Sequence, residues 1–201
     1  MKPGPYAIGW ILSTGLILRL IIAVTIEGFS SDIGLFSYWA QQAADDLFHI
    51  YQGDFFLDYP PFYLYVLFLI GKTGILLGLT GAEALYLLLL KLPSIAADLI
   101  TAYLLYRLAE KKLPGPWPVL IGAFYAFNPA VFINSAAWGQ VDSFLVLFIA
   151  LGFLLLDSGR PQLCGLPLAA AVLTKPQGLI LLPAILFELI RRKDIRLFIK
   201  T

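Results

Sequence analysis

The apolar stretch LYLLLLKLPSIAADLITAYLLYRL, residues 85–108, is the segment of this 201-residue sequence that decides its fold class. A helix needs roughly 20 apolar residues to cross the hydrocarbon core of a bilayer, and this stretch is long enough. The whole chain has a mean hydropathy of +0.84, and only 13% of its residues are charged. These values are typical of an integral membrane protein. The formal net charge of +1 gives no reason to expect a nucleic-acid partner.

Other apolar runs of span length, or slightly shorter, flank this stretch on both sides. They cover residues 6–26, 117–133, 144–156, 163–174 and 178–190. The sequence therefore predicts an all-α fold, a polytopic transmembrane helix bundle of about six or seven spans. We expect residues 1–201 to form a single membrane module.

The distribution of Lys and Arg predicts the orientation of this bundle. Basic residues gather at Lys2, Arg107, Lys111, Lys112, Arg160, Arg191, Arg192, Lys193 and Arg196. No Lys or Arg lies between Arg19 and Lys72, and that interval holds Glu27, Asp32, Asp45, Asp46, Asp54 and Asp58. Because cytoplasmic loops are enriched in Lys and Arg, we expect residues 27–82 to form the first outer loop. With this orientation, the predicted order of membrane crossings also brings residues 138–142 and 174–177 to the outer face.

The first outer loop contains an amphipathic helix that begins near Asp32. Its apolar residues recur at three- and four-residue spacing, at Ile33, Phe36, Ala40, Ala43 and Leu47. We expect it to lie along the membrane surface, with Ser30 or Ser31 as its N-terminal cap. Residues 60–80 fit either a second interfacial helix or a hairpin that dips into the membrane and returns.

Short polar motifs fall at the predicted outer face. They are the first-turn Asp32, Asp58 and Tyr59 in "DYPP", Trp138, Gln140 and Asp142 in "WGQVDS", and Lys175 and Gln177 in "TKPQ". Each has a structural alternative. Asp32 also suits the helix dipole, Trp138 also suits the aromatic belt, and Lys175 also suits the membrane interface.

Lys91 and Asp98 lie seven residues apart, and therefore on one face of the long span. Charges inside a membrane face a protein interior or an aqueous cavity. Lys91 either snorkels to the interface or binds a ligand there. Asp98 lies too deep to reach water, so it has either a structural partner or a functional role.

Taken together, these motifs resemble those of the GT-C superfamily of polyprenyl-phosphate-sugar-dependent glycosyltransferases. The closest likeness is to the bacterial mannosyltransferase-like group related to the second mannosyltransferase of GPI-anchor synthesis. It covers nearly the whole chain. It rests on "SDIGLFSYWA" at 31–40, "DYPP" at 58–61, "KLPSIAAD" at 91–98, "NP" at 128–129, "WGQVDS" at 138–143 and "TKPQ" at 174–177.

The resemblance implies transfer of a sugar, mannose by analogy, from a polyprenyl-phosphate donor to an acceptor hydroxyl, with inversion. It implies that Asp32 is the catalytic carboxylate and that Asp142 lines the site. We infer that Lys175 and Lys91 bind the donor phosphate, and that Asp58, Tyr59, Trp138, Gln140 and Gln177 contribute to substrate binding. No cofactor or metal is expected.

Membrane lipids are the expected surroundings, in a bacterial inner membrane with the site on the extracytoplasmic side. Family enzymes continue through further spans, so the sequence predicts a family N-terminal module that lacks a C-terminal membrane module.

Two alternatives remain open. One is a transporter or flippase-like protein with Asp98, Asp142, Lys91 and Lys175 along its path. The other is a non-catalytic lipid-binding scaffold.

Overall fold

A computed structural model describes residues 6–160 and 163–191, and this part of the chain consists of helices joined by short links, without a β-strand. Its α-helices are α1 (Tyr6–Thr25), α2 (Ser30–Asp46), α3 (Pro61–Leu77), α4 (Ala84–Glu110), α5 (Trp117–Ala126), α6 (Pro129–Phe132), α7 (Asp142–Asp157), α8 (Gly165–Thr174) and α9 (Leu182–Arg191). The predicted all-α fold class is confirmed. Lys2, Arg192, Lys193 and Arg196, which support the predicted orientation, lie outside the described residues.

Three helical segments of the described chain are long and apolar enough to cross a membrane. They are α1, α4 and the interrupted segment Trp117–Trp138. The other predicted spans fall on shorter helices, of 16 residues in α7, 10 in α8 and 10 in α9. At about 1.5 Å per residue, α7 is roughly 24 Å long, slightly less than the hydrocarbon core of about 30 Å.

The longest helix, α4, is the centre of the bundle and contacts α1, α2, α3, α5 and α7. Its Asp98 is fully buried and accepts a hydrogen bond from Arg19 of α1, with 3.0 Å between Nε and Oδ2. Asp98 thus has a structural partner, one of the two alternatives left open by the sequence. A buried ion pair of this kind fixes which helix faces meet, because either charge alone is costly to bury.

The amphipathic helix predicted in the first outer loop is α2. Its predicted apolar face is buried from Ile33 to Ala43 and packs against Tyr63, Leu64 and Leu67 of α3. The predicted serine cap is wrong, because Phe29 precedes the helix and no side chain caps it. Residues 61–77 form one continuous helix that ends at Gly78, with φ of +67°, so the hairpin alternative is excluded.

The third long segment is interrupted at Asn128-Pro129, where proline lacks the backbone N–H that would continue the helix. Asn128 caps α6 by accepting a hydrogen bond from the backbone N–H of Ala130 at 3.0 Å. A π-helical turn, Ile133–Trp138, follows α6 and ends at Gly139, whose φ is +90°. Such a wide turn is rare and is frequently found at functional sites. It carries the "WGQVDS" motif towards the N-terminus of α2.

Candidate functional site

A cavity of about 230 Å³ opens beside the N-terminal half of α2. It is lined by Asp32, Leu35, Phe36, Trp39, Phe56, Asp58, Tyr59, Gln140 and Lys175. Five of the predicted site residues, Asp32, Asp58, Tyr59, Gln140 and Lys175, therefore come together from four separate parts of the sequence.

Asp32 is held in place by the "WGQVDS" motif. The indole Nε1 of Trp138 donates to Asp32 Oδ2 at 2.7 Å, and the side-chain amide of Gln140 donates to the same oxygen. Within the described chain, no protein group donates to the other oxygen, Oδ1. Asp32 is thus a carboxylate with one oxygen fixed and one available to a ligand.

The position of Trp138 depends on the link between α1 and α2. Its ring packs against the Phe29 ring at a centroid distance of 5.0 Å, and its carbonyl accepts the backbone N–H of Phe29 at 3.1 Å. These contacts tie the start of α2 to the end of the π-helical turn. The two polar motifs therefore form one structural unit.

Lys175 carries the positive charge that lines the cavity. It lies in extended backbone between α8 and the 3-10 segment Pro176–Leu181. Its ammonium lies 2.5 Å from Asp142 Oδ1, and Asn134 donates to Asp142 Oδ2 at 3.3 Å. Asp142 thus orients Lys175 at the edge of the cavity, and an incoming phosphate would compete with it for the ammonium.

Tyr59 stands between the charged and the aromatic sides of the cavity. Its ring packs edge-on against Phe36 at 5.4 Å, and the Lys175 ammonium lies 6.0 Å from its centroid. Burial, and secondarily the nearby charge of Asp142, raises the pKa of the Tyr59 phenol well above its usual range. Tyr59 therefore presents a neutral hydroxyl at physiological pH.

The opposite wall is apolar and aromatic. Trp39 is almost fully buried, and its indole N–H donates to the Phe56 carbonyl at 2.8 Å, which fixes the segment that carries the Phe56 ring. A wall of this kind beside a few polar groups is the usual composition of a small-molecule site. It also offers flat surfaces for the apolar face of a sugar ring.

Four of the predicted substrate-binding residues do not line this cavity. Lys91 is fully buried, and its ammonium donates to the carbonyl oxygens of Ala23, at 3.3 Å, and Ile26, at the end of α1. Gln177 is exposed in the 3-10 segment. Trp138 and Asp142 also lie off the lining, but each contacts a lining residue directly.

Sequence reasoning missed several residues of the site. Leu35, Phe36, Trp39 and Phe56 line the cavity, but an aromatic residue in an apolar face looks the same whether it lies in a core or in a pocket. Asn134 could have been found, because it is a polar residue in an apolar segment shortly after Asn128-Pro129.

The charges named for the transporter alternative do not line one path in this structure. Asp98 and Lys91 are fully buried against protein partners, whereas Asp142 and Lys175 pair with each other beside the cavity. Within the described ranges, no group of three or more His, Cys, Asp or Glu residues could hold a metal ion. The expectation of a metal-independent site stays a prediction.

Comparison with known proteins gives one family. Residues 40–199, well over half of the chain, match the family described as GPI transamidase subunit PIG-U. No curated protein and no solved structure matches the chain. The apolar helices and this family together identify an integral membrane protein. They do not bear out the bacterial inner membrane that we expected from the sequence.

Proposed function

Because the chain belongs to the PIG-U family of GPI transamidase subunits, we propose that its cavity binds the sugar-phosphate head group of a membrane lipid. We propose further that it transfers the sugar, mannose by analogy, from a polyprenyl-phosphate donor to an acceptor hydroxyl. The observation that carries this proposal is the fixed carboxylate of Asp32 in a cavity shared with Lys175. The family name supports a link to glycolipids, since GPI is a glycolipid.

The size and lining of the cavity suit a head group better than a whole lipid. Its volume of about 230 Å³ is below the range of about 300–1,000 Å³ that encloses most small ligands. A polyprenyl tail would remain in the bilayer. Lys175 would contact the phosphate, while the aromatic wall and the Tyr59 hydroxyl would contact the sugar.

The reaction that follows from this placement is a single displacement. The acceptor oxygen attacks the anomeric carbon, and the bond from that carbon to the phosphate oxygen breaks with its electron pair. The free oxygen of Asp32 takes the acceptor proton, and Lys175 stabilises the charge that grows on the leaving phosphate. One attack from the opposite face inverts the anomeric configuration.

A second candidate is a non-catalytic subunit that binds the same head group. The family description, which names a subunit of a larger enzyme, supports it. In that case protein partners would complete the active site, and Asp32 and Lys175 would serve affinity alone. For either candidate, we place the cavity at the extracytoplasmic face, on the basis of the Lys and Arg distribution.

The test is transfer of radiolabelled mannose from polyprenyl-phosphate mannose by the purified chain in lipid vesicles. We expect Asp32→Asn to lower transfer by about 10²–10⁴-fold, because general-base catalysis is worth that much. Asp45→Asn is the matched control, since Asp45 is an exposed carboxylate on the same helix. Equal activity of Asp32→Asn and wild type would remove Asp32 from its proposed role.

Donor binding separates the two candidates. We expect Lys175→Met to weaken binding of the polyprenyl-phosphate donor about tenfold or more, since one charge-assisted hydrogen bond is lost. If the wild-type chain binds the donor and Lys175→Met does not, yet no transfer occurs, the non-catalytic subunit is the correct reading. If neither binding nor transfer occurs, the head-group proposal is wrong.

A further inference from the structure

The buried pair of Arg19 and Asp98 contacts the interrupted segment on both sides of its break. Before the break, Arg19 Nη1 donates to the carbonyl of Ala126, the last residue of α5, at 2.8 Å. After the break, Ser135 of the π-helical turn donates to Asp98 Oδ2 at 2.5 Å. One ion pair between α1 and α4 therefore contacts the interrupted segment on both sides of its break.

Ser135 is fully buried, and its hydroxyl shares Asp98 Oδ2 with the Arg19 guanidinium. A π-helical turn accommodates one more residue per turn than an α-helix, so it competes with ordinary α-helical geometry. A one-residue slip in a helix rotates every following side chain by about 100°. The bond between Ser135 and Asp98 opposes such a slip at the centre of the turn.

Two other residues of the turn, Asn134 and Trp138, bond residues at the cavity. Asn134 bonds Asp142, and its carbonyl accepts the backbone N–H groups of Gly139 at 3.1 Å and Gln140 at 3.0 Å. Trp138, the last residue of the turn, bonds Asp32. Asn134 and Trp138 thus belong to the same turn as Ser135, and Gln140 follows that turn by two residues.

We propose that Ser135 and Asp98 are positioning residues of the site, and that their buried hydrogen bond sets the register of the turn that aims Trp138 and Gln140 at Asp32. The proposal rests on the proposed function for its catalytic consequence, but its structural consequence is measurable without any activity. Neither residue touches the cavity, so both act only through the turn.

The first measurement is fluorine NMR of the full chain labelled with 5-fluorotryptophan, which reports on its four tryptophans. Trp138→Phe assigns the Trp138 resonance, and Asp32→Asn shows how that resonance responds when the partner of the indole changes. We expect Ser135→Ala to shift or broaden the same resonance and to leave the other three in place. Ser135→Thr keeps the hydroxyl and should restore the wild-type spectrum.

Ser37→Ala is the matched control, because Ser37 is also buried and donates one hydrogen bond, to Gly81, away from the turn. It should leave the Trp138 resonance unchanged. Ser135→Cys, which is close to serine in volume, is the second variant if Ser135→Ala does not fold. An unchanged Trp138 resonance in a folded Ser135→Ala or Ser135→Cys chain would overturn the proposal, as would an equal change in Ser37→Ala.

The catalytic consequence is a lower kcat for sugar transfer with little change in the donor KM. We expect about a tenfold to hundredfold lower kcat for Ser135→Ala, the scale of a small misplacement of reacting groups. A raised KM at unchanged kcat would contradict a positioning role. If the Trp138 resonance responds as expected and the wild type transfers no sugar, the proposed function fails and the positioning of Trp138 stands.

Discussion

Lys91 and Lys175, two lysines that the sequence assigns to the same end of the bundle, have different partners in the structure. The ammonium of Lys175 reaches the cavity edge and pairs with Asp142, whereas that of Lys91 turns towards the end of α1. Both side chains are long and flexible, so the sequence predicts how deep in the membrane each residue lies but not which way its ammonium group points. The predicted phosphate contact of Lys91 therefore needs its own test.

We expect Lys91→Met to destabilise the chain by about 1–3 kcal/mol, because the carbonyl oxygens of Ala23 and Ile26 would lose their buried donor. The measurement is the midpoint of denaturant unfolding in detergent. Lys72→Met is the control, since Lys72 is an exposed lysine of α3. An unfolding midpoint equal to that of the control, together with weaker donor binding, would show that Lys91 contacts the phosphate after all.

Residue types and depth were enough to predict most of the polar side of the site. Asp32, Asp58, Gln140 and Lys175 are polar residues close to apolar spans in the sequence, and all four line the cavity. Their individual contacts could not be predicted. That Trp138 and Gln140 share one oxygen of Asp32 depends on the π-helical turn, which has no pattern in the sequence.

Among the elements, α2 was the easiest to predict and its start the hardest. The apolar spacing in the sequence predicts the buried face of α2 correctly, because that face is continuous from Ile33 to Ala43. Its N-terminus departs from the predicted serine cap: Phe29 precedes the helix, and its backbone N–H bonds the distant carbonyl of Trp138. Capping rules consider only residues close in the sequence, so they do not include a contact between Phe29 and Trp138.

The packing of α2 on α3 gives a prediction about a pair of glycines. A methyl group at Gly71 of α3 would collide with the backbone carbonyl of Ala40, whereas one at Gly34 of α2 would meet no atom within 4 Å. We expect Gly71→Ala to destabilise the chain by about 1–3 kcal/mol through overpacking. Gly34→Ala should stabilise it by about 0.5–1 kcal/mol, because glycine weakens a helix interior.

Denaturant midpoints of the two glycine variants, measured side by side, check this prediction. A destabilised Gly34→Ala would mean that its exposed face packs against something in the membrane. A neutral Gly71→Ala would mean that α2 can move away from α3 without cost, and that α2, which lines the cavity, is not held rigidly by this contact.

For the whole molecule, the fold class followed from hydropathy, but the number of full-length spans did not. Three described segments are long enough to cross a bilayer, against about six or seven expected from sequence runs. The length of an apolar run gives a number of residues. It does not show whether the helix continues across the whole bilayer or ends within it. The runs at 144–156, 163–174 and 178–190 became helices of 16, 10 and 10 residues.

The proposed orientation can be checked by labelling single cysteines with a membrane-impermeant maleimide in sealed vesicles of known sidedness. We expect Asp54→Cys, in the first outer loop, to react from the outside, and Lys112→Cys to react only after the membrane is opened. The wild-type chain is the control, because its Cys164 is buried. The reverse pattern would place the cavity on the cytoplasmic side.

The ion pair between Arg19 and Asp98 also constrains how the protein is made. Its partners are 79 residues apart, so Arg19 enters the membrane during synthesis well before Asp98 has left the ribosome. An unpaired arginine at the centre of a helix costs about 2.5–3.5 kcal/mol on insertion scales. We therefore expect α1 to insert fully into the membrane only when α4 is inserted beside it. The turn that carries Ser135 follows α4 in the chain, so its bond to Asp98 forms after the ion pair. Chains stalled before α4 is inserted would expose an unpaired arginine in the membrane, a feature by which membrane quality control can recognise an unfinished molecule.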